Sequence, residues 1–183
     1  LRPGIERAFN KDVDAFYFAA RIVDLFAPSA RRLKPMDVIK HFDGVVQAEL
    51  DLRLESASAS EFAANTEKDE GFQLPSIQWN YSARRVMTLD WADGTALGDN
   101  AALDAAGHDR RILGNRVLSL FLRHALRDGY FHADMHQGNL KVAANGDIIA
   151  YDFGIMGHID EYTRRVYAEI LFGFINRDYK RVA

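Results

Sequence analysis

The chain has 183 residues, 48% of them hydrophobic, enough for a sizeable core and one or two domains. A formal net charge of -3 and a pI of about 6.1 leave no basic surplus for nucleic acid. The absence of cysteine excludes disulfides and thiolate metal sites, and no apolar run is long enough to cross a membrane as a helix. No signal-peptide pattern opens the chain, and its start at Leu1-Arg2-Pro3-Gly4 reads as a piece of a longer protein.

In chain order, Ile5, Phe9, Val13, Phe16, Ala20 and Val23 recur at helical spacing and predict an amphipathic helix over 5–26, closed by Pro28-Ser29. Phe16, Tyr17 and Phe18 read as packing. A second helix is expected from Pro35, a residue suited to a first helical turn, to Asn65. It carries the acidic stretch Glu49 to Glu55, in which Asp51 and Glu55 share a face; taken alone, that is a solvated face offset by Arg53. Glu67-Lys68-Asp69-Glu70-Gly71 reads as a surface turn. Short strands are expected at 77–81 and 84–89, followed by Asp90-Trp91-Ala92-Asp93-Gly94.

Gly98-Asp99-Asn100 and Gly107-His108-Asp109 are loop and cap signals. The apolar set Ile112, Leu113, Val117, Leu120, Phe121 and Ala125 predicts a helix ending at Gly129, with His124 packed or exposed within it. A last helix, capped by Asp160, carries Tyr162, Val166, Ile170, Leu171 and Phe174.

The stretch from Gly129 to Gly157 holds the chemistry. Leu140-Lys141-Val142 and Ile148-Ile149-Ala150 bracket Asn145-Gly146-Asp147 and predict a β-hairpin. The hairpin would bring Asp134 and Asn139, before its first strand, together with Asp152, after its second. Asn139 and Asp152 offer the hard oxygens that a magnesium ion on phosphates needs. Asp134 is the free carboxylate able to orient an attacking hydroxyl or water. The order Asp-x4-Asn, hairpin, Asp-Phe-Gly is that of the kinase catalytic and metal loops. Turn-capping and strand-exit roles suit each acid singly but not the joint spacing. A competing reading takes His132, Asp134 and His136 as a hydrolytic metal site, which leaves Asn139 and Asp152 unexplained.

His132-Ala133-Asp134-Met135-His136-x-Gly138-Asn139 with Asp152-Phe153-Gly154-Ile155 resembles the UbiB/ADCK family of atypical kinases, over essentially the whole chain. Aminoglycoside-phosphotransferase-like kinases share a similar loop, but Glu49-x-Asp51 resembles the Glu-x-Asp motif of the UbiB family. The resemblance implies that Glu55 is the helix glutamate pairing with the ATP-binding lysine. It also implies a hinge at 90–92, where the Asp90 carbonyl and Ala92 amide would meet the adenine edge. It departs at Gln137, where the family usually has proline, and at Ala133, where many protein kinases carry an arginine that receives a phosphorylated activation loop. The family's Lys-x-Gly-Gln segment is not in this sequence. The nucleotide loop and ATP lysine are expected upstream of Leu1.

The expectation is therefore an α/β (α+β), protein-kinase-like fold. Residues 1–90 would be a partial small lobe with family-specific helices, and 91–183 the first half of a helical large lobe. ATP and Mg2+ are the implied cofactors. Implied partners are lipid or quinone intermediates, ubiquinone-biosynthesis proteins, and a membrane surface reached through segments outside this chain. The implied role is support of ubiquinone biosynthesis at a bacterial inner membrane, cytoplasmic face, or a mitochondrial inner membrane. A small-molecule kinase of the aminoglycoside or choline type and a nucleotide-sensing scaffold without turnover are the alternatives.

Overall fold

The computed structural model describes residues 1–179; the last four residues of the second expected lobe lie outside the described residues. The chain divides into two compact units, residues 1–55 with 79–88, and residues 56–78 with 89 onward.

The first unit is built on α1 (Ile5–Phe26) and α2 (Pro35–Glu49), joined by a 3-10 turn at Pro28–Leu33. Their facing sides meet through the Phe16–Phe42 edge-to-face pair, at 5.8 Å, and a Gln47 amide donating to Asn10. Val13 and Ala20 of the expected apolar stripe are buried, whereas Phe16 and Val23 stay partly open. The expected helix over 35–65 is two helices. The chain breaks after α2, and Asp51 opens α3 (Leu52–Thr66) by accepting the Arg53 N–H on its side chain. An aspartate at this position competes for backbone donors, so it starts a new helix instead of continuing the old one.

The expected strands at 77–81 and 84–89 also differ. Trp79–Tyr81 forms a 3-10 turn, and only isolated bridges, Ile77 to Leu89 and Ala83 to Val86, remain of the pairing. Local polar bonds replace the ladder: Thr88 N–H donates to the Ser82 hydroxyl, and the Thr88 hydroxyl to the Tyr81 carbonyl.

The second unit centres on a four-stranded sheet, β1 (Phe72–Gln73), β5 (Ile148–Ala150), β4 (Leu140–Val142) and β2 (Thr95–Ala96), in that spatial order. The β4–β5 hairpin forms in the register Leu140 to Ala150 and Val142 to Ile148. Its turn uses Gly146 at φ 85 and an Asn145 side chain that accepts the Asp147 N–H. β3 (Tyr130–His132) and β6 (Met156–His158) pair antiparallel as a separate ribbon.

Between β2 and β3 lie α4 (Asn100–Ala105) and α5 (Arg110–Arg123), the latter closing in a π-helical turn at His124–Asp128. Gly129 ends that run at φ 69; a side chain there would also meet the Ile159 carbonyl at 2.5 Å. Asp160 caps α6 (Glu161–Ile175) through Thr163 N–H, as expected. Phe62, Leu103, Leu113, Leu120, Leu140, Val142, Ile148, Ala150 and Phe153 form one core. Both strands of the hairpin therefore stand on a fixed floor.

Candidate functional site

The site grows from the two ladders of the second unit. In the β3–β6 ribbon, His132 lies opposite Met156, and one step further Ala133 N–H donates to Ile155 O at 3.0 Å. In the hairpin, Leu140 lies opposite Ala150, and one step back Tyr151 N–H donates to Asn139 O at 3.3 Å. These two bonds bracket Asp152-Phe153-Gly154 with the loop that carries Asp134 and Asn139. Phe153 is 1% exposed and packs edge-on to Phe62, at 6.5 Å, which anchors the backbone beside Asp152.

The polar groups are arranged unevenly. The Asn139 side-chain nitrogen donates to Asp134 O at 3.1 Å. This assigns the amide and leaves its oxygen as the acceptor for a cation. Asp152 is exposed and uses one carboxylate oxygen to accept the Gly154 N–H at 3.2 Å. The donor set fits a hard, oxygen-seeking dication that keeps water and phosphate ligands. Asp134 keeps 44% of its side chain exposed and lies 3.6 Å from His136 Nε2.

The two loop histidines are not a metal pair. His132 is 1% exposed, and its Nδ1 accepts the Asp134 N–H at 3.2 Å. Burial holds its pKa below the usual imidazole value, against the pull of the Asp152 and Asp134 carboxylates. Its Nε2 is buried without a hydrogen-bond partner. His136 Nδ1 accepts the Gly138 N–H at 2.9 Å, so both Nδ1 atoms are engaged by backbone. Among the described residues, no set of three or more His, Cys, Asp or Glu side chains is arranged to hold a metal.

The segment read as a hinge belongs to the same unit. Asp90 N–H donates to Ser76 O, and its carboxylate accepts from Gln78. The Ala92 carbonyl accepts from Lys141 Nζ at 2.8 Å, and the ammonium also lies over the Trp91 ring at 4.9 Å. A side chain at Gly94 would meet the Val142 carbonyl at 2.6 Å, so only glycine lets this segment lie against β4.

Of the acidic helix residues, Glu49 ends α2, Asp51 stands between the helices, and Glu55 lies in the first turn of α3, all in the first unit. Hydrogen bonds from Arg53 hold the Asp51 carboxyl down to about 2.

Sequence reading missed one cluster. Asp69, expected on a surface turn, is buried. It accepts from His124 at 2.9 Å and from both terminal nitrogens of Arg127, at 2.6 and 2.9 Å. Arg127 lowers the pKa of Asp69, while burial lowers that of His124. An isolated aspartate in a charged run gives no signal of this, because its partners lie 55 and 58 positions away. Met135 and Gln137, flanking His136, also line a cavity of about 540 Å³ with Leu103, Leu113, Val117 and Phe121.

Comparison with known proteins bears on the family and the fold. A family model described as the ABC1 atypical kinase-like domain matches residues 1–183. The probable protein kinase UbiB of Marinobacter nauticus is 35% identical over 187 residues, covering all of this chain and 34% of that protein. The probable protein kinase UbiB of Vibrio cholerae is 37% identical over 187 residues, with the same coverage. The chain thus spans about a third of the length of these relatives. Among solved structures, the complex of Rv3197 with erythromycin from Mycobacterium tuberculosis superposes at a TM-score of 0.75 with 22% identity. That match covers 98% of this chain and 44% of the other. The mixed helix-and-sheet chain has a kinase-like fold.

Proposed function

This chain belongs to the ABC1 atypical kinase-like family, and from that premise we propose that the whole protein binds ATP with Mg2+ and hydrolyses or transfers its γ-phosphate in support of ubiquinone biosynthesis. Residues 1–90 serve in this reading as part of a small lobe and 91–183 as the first half of the large lobe. Asn139 and Asp152 would hold the magnesium ion, which when bound neutralises charge on the phosphates. Asp134 orients the attacking oxygen and accepts its proton. Glu55 would pair with an ATP-binding lysine outside this chain, and the backbone at Asp90 and Ala92 would meet the adenine edge. Lipid or quinone intermediates are the acceptors or cargo, at the cytoplasmic face of a bacterial inner membrane. Among the described residues no helix is long and apolar enough to cross a membrane, so that association would run through other segments.

The observation that carries this reading is the pair of backbone bonds, Ala133 to Ile155 and Asn139 to Tyr151, that gathers Asp134, Asn139 and Asp152 on adjacent loops. The test is Asp152→Asn in the full-length protein. It removes a charged oxygen ligand, so magnesium-dependent ATP affinity, measured by calorimetry, should fall severely. Unchanged affinity would sink the metal assignment.

A further inference from the structure

We infer that His136 is a positioning residue for Asp134, holding that carboxylate through its Nε2–H while the carboxylate takes a proton. The inference rests on the reading of Asp134 as the proton acceptor.

His136 is fastened in three ways. Its backbone N–H donates to Asp134 O at 2.8 Å. Its Nδ1 accepts the Gly138 N–H at 2.9 Å. Its ring lies so close over Gly138 that an added Cβ would stand 2.7 Å from Cε1 and 2.9 Å from Nδ1. The Gly138 bond has a chemical consequence. A ring nitrogen that accepts carries no proton, and a neutral imidazole has only one, so the proton is on Nε2. That nitrogen is the one 3.6 Å from Asp134 Oδ2. The separation is longer than a formed hydrogen bond, as is common before a substrate tightens a site.

A capping role for His136 would need Nδ1 alone; it does not account for the other nitrogen being turned to the carboxylate. In hydrolysis, the water oxygen bonds to the γ-phosphorus as the bond to the β–γ bridging oxygen breaks. ADP leaves with that electron pair, and the water proton passes to Asp134 and then to solvent. The Nε2 proton stays on His136 throughout, so its part is to fix the attitude of the carboxylate, not to transfer a proton.

Two substitutions separate positioning from capping, because each keeps one ring nitrogen's role. Asparagine sets an amide oxygen where Nδ1 stood, keeping the Gly138 acceptor and losing the donor. Glutamine reaches the Nε2 position with an amide N–H. In steady-state ATP hydrolysis by the full-length protein, His136→Asn should lose about tenfold in kcat, with KM for ATP and melting temperature near those of the parent. His136→Gln should recover most of that kcat even where it lowers the melting temperature. Full kcat in His136→Asn, or equal losses in both variants that follow their melting temperatures, would overturn the inference. Asp134→Asn is measured alongside. If it abolishes turnover while His136→Asn does not change it, only the positioning role fails. If Asp134→Asn itself turns over fully, the catalytic reading falls and takes this inference with it.

Discussion

Two aspartates of the second unit each lie against a histidine, and their settings are opposite. Asp69 keeps 4% of its side chain exposed, and its oxygens are taken by His124, by both ends of the Arg127 guanidinium and, at 3.7 Å, by Arg123. Asp134 keeps 44% exposed and has a histidine nitrogen at 3.6 Å. The histidines follow suit: His124 is enclosed between Phe62 and Phe72, each at 5.0 Å, while His136 is 57% exposed. A carboxylate that already accepts three hydrogen bonds can brace the segment after α3 against the π turn, but it cannot accept a further proton without weakening that brace. A half-exposed carboxylate on a loop held at both sides is free for chemistry. The same residue pair thus serves structure in one place and suits turnover in the other, and what separates them is the number of donors already present.

The strongest way to break this contrast is Asp69→Ala. It leaves a buried imidazole and a guanidinium without their shared acceptor. The loss should be about 3 kcal/mol of unfolding free energy, the low end for a broken buried pair, because half-exposed Arg127 keeps Asp128 and reaches water. Chemical denaturation of the full-length protein measures it; a loss below about 1 kcal/mol would make Asp69 an ordinary surface acid.

Asp134→Asn should do the reverse. Turnover should fall by roughly two orders of magnitude, about 2.7 kcal/mol of barrier, with the denaturation midpoint and nucleotide affinity hardly changed. A large stability loss in this variant would move Asp134 into the class of Asp69.

A pH series sharpens the comparison with a smaller effect. Burial lowers the folded pKa of His124, so the unfolded chain binds the proton more tightly. The stability contribution of neutral His124 is therefore present above its unfolded value of about 6.5 and is lost as the pH falls towards the lowered folded value. The loss is at most about 1.4 kcal/mol for each pH unit below 6.5. Asp69, also lowered in the folded state, adds a further loss only below about pH 4. Thermal melts between pH 7.5 and 5.5 should show a shallower slope for His124→Gln than for the parent. Equal slopes would mean that His124 is not the buried neutral base described.

Much of the hairpin and its flanks could be read directly. Asn145-Gly146-Asp147 between Leu140-Lys141-Val142 and Ile148-Ile149-Ala150 has one easy solution, a β-turn with glycine at positive φ, and the sheet adopts it. The helix ends at Gly129 and Asp160 were legible for the same reason, since each is set by the conformational needs of one residue. The break at Leu50-Asp51 was not, because no glycine or proline stands there to mark a helix end. The expected strands near Trp79 and Val86 failed because branched and aromatic residues favour a strand only when a partner strand offers a ladder.

By itself the sequence determined the local things: the turn, the caps, the apolar faces, and the identities and spacing of Asp134, Asn139 and Asp152, all of which act over a few residues. Tertiary structure alone decided which polar groups have partners. The bidentate seat of Asp69 joins residues 58 positions apart, and the enclosure of His124 between Phe62 and Phe72 joins three separate elements. Burial and hydrogen-bond count are properties of the packed environment, and at a given aspartate they separate a brace from a candidate catalyst.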